Sequence, residues 1–68
     1  MSMPSFTPAQ WALLLDLSDR DQPIYDQRSM RTANTLVGAG CAVWVKDRWR
    51  TLAITDAGRD ALLVWKAT

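Results

Sequence analysis

The sequence has no histidine and no glutamate, and Cys41 is its one cysteine. These gaps exclude a Cys/His zinc site, a His-based nucleophilic triad and a disulfide within one chain. The only side-chain carboxylates are seven aspartates, at 16, 19, 21, 26, 47, 56 and 60. Nothing in their spacing gathers two of them for acid/base work, and a domain this small has little room for a deep cleft. No catalytic residue, metal ligand or cofactor site is therefore expected, and the chain is not read as an enzyme. Long apolar runs are missing too: Trp11–Leu15 is far too short to cross a membrane, and the N-terminus has no basic stretch. A lone cysteine without a secretion signal fits a reducing cytoplasm, with Cys41 as a small buried hydrophobe.

What remains is a chain of 68 residues, 49% hydrophobic and 22% charged, which suits one folded domain over 1–68 with no internal repeat. Residues 1–5 are expected to form a flexible N-terminus. A domain of this length buries only roughly 60% of its unfolded surface, so self-association or a partner is worth expecting. The net charge is only +1, but its distribution is uneven. Residues 1–19 carry −2 and residues 51–68 balance to zero. The middle sets Arg20, Arg28, Arg31, Lys46, Arg48 and Arg50 against Asp21, Asp26 and Asp47, giving 6 − 3 = +3. Such clustering suits an anionic partner, although a solvated face looks the same at this level.

The first element marks its own start. Thr7 is a good N-cap, Pro8 follows at the first helical position, and Gln10 completes a Thr-x-x-Gln capping box, with Phe6 placed to staple onto Trp11. Trp11, Leu14 and Leu15, with Leu17 or Ser18 a turn on, form one apolar side of a helix ending near Asp19. Residues 23–26 fit either a short strand or the opening of the next helix, and Ile24 and Tyr25 favour the extended reading with Asp26 as the following N-cap. A second helix is predicted over 27–39. At about 100° per residue, Met30, Ala33, Leu36 and Val37 fall on one arc and Arg28, Arg31, Thr32 and Thr35 on the opposite one. Gly40 is the left-handed stop, with Cys41 turning back toward Leu36.

Beyond Gly40 the period changes to two. Residues 41–46 and 49–54 are rich in β-formers and read as an antiparallel hairpin about Asp47-Arg48. Pairing about that turn puts Cys41, Val43, Leu52 and Ile54 on the core face, and Trp44, Thr51 and the alanines on the other. The turn has no Gly or Asn, so a slip of one residue is open. Thr55 caps a last helix whose inward stripe is Ala57, Ala61, Leu62 and Trp65.

The order helix, helix, hairpin, helix gives particular strings a familiar look. Arg31-Thr-Ala-Asn-Thr-Leu-Val-Gly-Ala-Gly40 resembles the recognition helix and following glycine of winged helix-turn-helix proteins. Ile54-Thr-Asp-Ala-Gly-Arg-Asp-Ala-Leu62 resembles the segment that closes the wing in regulators of the multiple-antibiotic-resistance type. The resemblance covers roughly residues 28–62 and implies an α+β minimal winged helix-turn-helix. The helix that ordinarily precedes the recognition helix is reduced to residues 20–26 or lost. It further implies a small transcriptional-regulator-like protein binding double-stranded DNA. Arg28, Arg31, Thr32 and Thr35 would face the major groove, and Lys46, Arg48 and Arg50 the sugar-phosphate backbone.

Two further surfaces follow from the residues. Trp44 and Trp49, placed on the less buried side of the hairpin beside arginines, have the composition of an anchor for a protein partner. This supports an alternative reading as a mobile-element or phage-type inhibitor of a host protein on the same fold. In the last helix Leu63 lies off the inward stripe and Val64 at its margin, which makes them the expected contact of a homodimer.

Overall fold

A computed structural model describes residues 5–67 of the chain. The flexible tail expected over 1–5 lies, apart from Ser5, outside the described residues. Three helices and a three-stranded antiparallel sheet make a small α+β domain. The elements run α1 (Pro8–Asp19), β1 (Gln22–Pro23), α2 (Gln27–Gly38), β2 (Ala42–Trp44), β3 (Thr51–Ile54) and α3 (Asp56–Ala67), with sheet order β1-β3-β2.

Each helix starts where its capping chemistry dictates. Thr7 Oγ1 accepts from Gln10 N–H at 3.3 Å while Gln10 Oε1 accepts from Thr7 N–H at 2.8 Å. Phe6 meets the Trp11 ring edge-on at 5.0 Å. The Asp26 carboxylate accepts from Ser29 N–H and opens α2. At the other end of α2, Gly40 takes φ 78°. There Gly40 N–H donates to Val37 O at 3.0 Å and Cys41 N–H to Leu36 O at 2.9 Å, which is the Schellman ending. Residues 20–26 form no helix: β1 pairs with β3, and Ile24 N–H donates to Arg50 O at 2.8 Å.

The core gathers Trp11, Leu14 and Leu17 of α1, Ile24, Ala33 and Leu36 of α2, Cys41, Ala42, Leu52, Ala61 and Leu62. Trp11 and Trp65 stack nearly parallel with centroids 4.8 Å apart, joining the first helix to the last. Leu17 rather than Ser18 completes the α1 stripe. Ser18 is half-buried and donates its hydroxyl to Leu15 O at 2.6 Å.

The hairpin departs from the expected register. Ala42 pairs with Ile54, Val43 with Ala53 and Trp44 with Leu52, one residue away from pairing about Asp47-Arg48. The connection is instead the five residues 46–50, closed by Val45 N–H donating to Thr51 O at 2.8 Å, and Arg50 takes the left-handed conformation with φ 45°. A two-residue type I′ turn would need positive φ at both Asp47 and Arg48, and a type II′ turn a glycine at the first. Aspartate tolerates the first position of a I′ turn, but the second favours the glycine that Arg48 replaces. Because side chains alternate, the slip turns β2 over. Ala42 and Trp44 face the core beside Leu52 and Ile54, while Val43 is exposed. Thr51 is also buried, in the central strand, with its hydroxyl donated to Trp49 O at 3.1 Å.

In α3 the inward stripe is Gly58, Ala61, Leu62 and Trp65, and Ala57 is exposed. The inward arc is centred on Gly58, where a Cβ would overlap the Cys41 carbonyl oxygen and come within 2.8 Å of Ile54 Cγ1. The missing side chain lets α3 start against the strand entry. Thr55 clamps the junction: its hydroxyl donates to Gly40 O at 2.6 Å and accepts from Gly58 N–H at 3.1 Å.

Candidate nucleic-acid interface

Burial of Ala33 and Leu36 rotates α2 so that Gln27, Arg28, Arg31, Asn34 and Thr35 face solvent. Thr32 sits on the shoulder of that face, half-buried. Both threonine hydroxyls donate back along the helix, Thr32 to Arg28 O at 3.2 Å and Thr35 to Arg31 O at 3.1 Å. Their protons are thereby engaged, and each oxygen keeps lone pairs to accept from a donor outside. Hydrogen bonds from Ser29 hold the Asp26 carboxyl below its ordinary range, with a smaller contribution from Arg28.

Lys46, Arg48 and Arg50 all stand exposed in the hairpin loop. Two of them are already engaged within the chain. Arg48 pairs with Asp21 at 3.7 Å across to the α1–β1 connection. Arg50 donates through Nη1 to Tyr25 O at 3.4 Å and lies over the Trp49 ring with 5.0 Å to its centroid. The other ion pair among the described residues is Arg20 with Asp19 at 3.5 Å. Arg28, Arg31, Lys46 and Arg50 thus face solvent with no ion-pair partner among the described residues.

The two tryptophans of the hairpin part company. Trp44, turned inward by the register, is half-buried against the core. With Met30, Asn34, Val45 and Arg50 it lines an open groove of about 350 Å³ between α2 and the hairpin. Trp49 is 71% exposed, and its ring neighbour is Tyr25, 68% exposed, at 6.3 Å between centroids. Trp44 and Trp49, expected together on the less buried side of the hairpin, are separated, and the ring beside Trp49 is that of Tyr25. Tyr25 and the groove position of Asn34 were not signalled by the sequence as site features. The pairing of β1 with β3, extended by Ile24 N–H to Arg50 O, carries Tyr25 to a loop distant along the chain.

Leu63 and Val64 lie exposed on α3, as their helical positions required. Burial pushes the Cys41 thiol up from its ordinary value, so it stays protonated near neutrality and chemically quiet. No helix of the described residues is long and apolar enough to cross a membrane. No family model, curated protein or solved structure matches the chain.

Proposed function

We propose that the chain is a minimal winged helix-turn-helix domain that binds double-stranded DNA without catalysis, as a small cytoplasmic regulator. The observation that carries this reading is the outer face of α2, where Arg28 and Arg31 stand among side chains that are polar throughout, next to a loop bearing Lys46, Arg48 and Arg50. In the proposed docking α2 enters the major groove and the loop lies along the adjacent backbone. Residues 20–26, where the family has a further helix, here supply β1 and its flanks. The duplex would therefore be gripped by one helix and one loop rather than by a helix pair. The exposed Leu63 and Val64 of α3 support a homodimer that presents two such helices. Sedimentation over a protein concentration series checks this, with Leu63→Asp reducing the mass to that of one chain.

The deciding experiment is a salt titration of duplex binding. Affinity should fall with a log–log slope near −0.9 per phosphate, about −3.6 for four contacts per chain. Arg28→Ala or Arg31→Ala should relax sequence preference by about 1–3 kcal/mol, whereas Lys46→Ala should weaken all duplexes alike. Absence of binding to any duplex at low salt refutes the reading.

A further inference from the structure

From the Tyr25–Trp49 pair we infer a stacking platform for unpaired bases, so that the preferred ligand is duplex DNA carrying a single-stranded tail. The duplex half of this ligand rests on the proposed function; the tail half rests on the platform itself. The two rings come from distant segments and are held side by side by the backbone, through Ile24 N–H to Arg50 O at 2.8 Å and Arg50 Nη1 to Tyr25 O at 3.4 Å. Arg50 adopts φ 45°, a conformation that L residues occupy at a cost. The backbones of the two residues are thereby held together, and their rings, tilted by 42°, belong to residues more than two-thirds exposed.

Three chemical arguments identify the occupant. A paired duplex presents base edges and phosphates but keeps its base faces stacked, so exposed ring faces gain little from it. An unpaired base offers a free face, and aromatic side chains bind such faces whatever the sequence. Two cations beside the rings, Lys46 and Arg50, have no ion-pair partner among the described residues, whereas Arg48 is paired with Asp21, and Asp47 shares the loop. Rings beside Lys46 and Arg50, with the Arg50 guanidinium over one of them, complement an anionic chain that carries its own rings. Finally, Arg50 belongs both to the platform and to the groove that holds Asn34 and Trp44. A strand stacked at Trp49 would lie beside Arg50 and the groove that holds the Asn34 amide.

The test compares three labelled DNAs by fluorescence anisotropy: a blunt duplex, the same duplex with a short oligothymidine tail, and the free oligothymidine. The tailed duplex should bind about tenfold more tightly than the blunt one. Tyr25→Ala should remove most of that gain and leave blunt-duplex affinity unchanged, and Trp49→Ala should cost the tailed duplex more than the blunt one, while Trp49→Phe retains part of the gain. Thermal melts of each variant confirm that the fold persists. Equal binding of tailed and blunt duplex, or an equal loss on both in Trp49→Ala, overturns the platform and leaves duplex binding standing. Trp49-dependent binding of the free oligothymidine without blunt-duplex binding supports the platform and removes the duplex reading. Failure of all three DNAs overturns both, as expected if the exposed rings serve a protein partner.

Discussion

Replacing Gly58 by alanine should destabilise the domain, although the same change in an ordinary helix is stabilising. Gly58 sits in the first turn of α3, where alanine is intrinsically favoured over glycine by up to about 1 kcal/mol. Against this stands the space the new methyl would occupy. It would overlap the Cys41 carbonyl oxygen and approach Ile54 Cγ1 to 2.8 Å. The carbonyl belongs to the backbone and already accepts a hydrogen bond from Thr55 N–H at 3.1 Å, so it cannot swing aside as a side-chain end would. Overpacking of this kind costs about 1–3 kcal/mol, and a backbone neighbour puts the site at the upper end. The net effect is about 2 kcal/mol, which lowers the melting temperature of so small a domain by roughly 10 °C. Gly38→Ala provides the control, because a Cβ there meets nothing within 4 Å and α2 is otherwise uninterrupted. It should raise stability by about 0.5–1 kcal/mol. Thermal melts of both variants by circular dichroism decide the matter. If Gly58→Ala is as stabilising as Gly38→Ala, the close approach of α3 to Cys41 is wrong.

Three other perturbations probe different layers of the structure. Leu14 is completely buried at the centre of the core, so Leu14→Ala should cost about 2–5 kcal/mol, enough to leave much of the protein unfolded in a urea titration. Thr55→Ala removes both the cap of α3 and its tie to Gly40, at a cost of about 1–2 kcal/mol. Thr55→Ser should recover most of that loss, since the hydroxyl rather than the methyl makes both bonds. For Asp26 the folded carboxyl ionises below its ordinary range, so its contribution to stability is present at neutral pH and disappears as pH falls through that range. The drop in urea midpoint on acidification should be smaller in Asp26→Asn than in the parent protein.

How much of this was legible in the chain depended on the range of the interactions involved. The capping box at Thr7, the Asp26 cap and the Gly40 stop are settled within four or five residues by hydrogen bonds between near neighbours, and all three were readable. The polar face of α2 followed in the same way, because a single helical period fixes which side chains oppose the buried Ala33 and Leu36. The hairpin register did not follow. Its loop length depends on which residue can take a positive φ, and Arg50 does so while held by its bonds to Ile24 and Tyr25, from another strand and its flank. That one-residue slip sends Trp44 inward and Val43 outward. Gly58 was visible only as a letter of the 54–62 resemblance, since a residue without a side chain adds nothing to an apolar stripe, and its packing role exists only where α3 meets Cys41. The sequence by itself determined the three helices, the two hairpin segments, the caps and the charged faces, because these arise from local hydrogen bonding and periodicity, whereas β1 became a strand only through its pairing with β3. The tertiary structure alone decided which residues meet across the sheet, and so brought Tyr25, Trp49 and Arg50 together, because strand pairing joins segments whose separation along the chain carries no local signal.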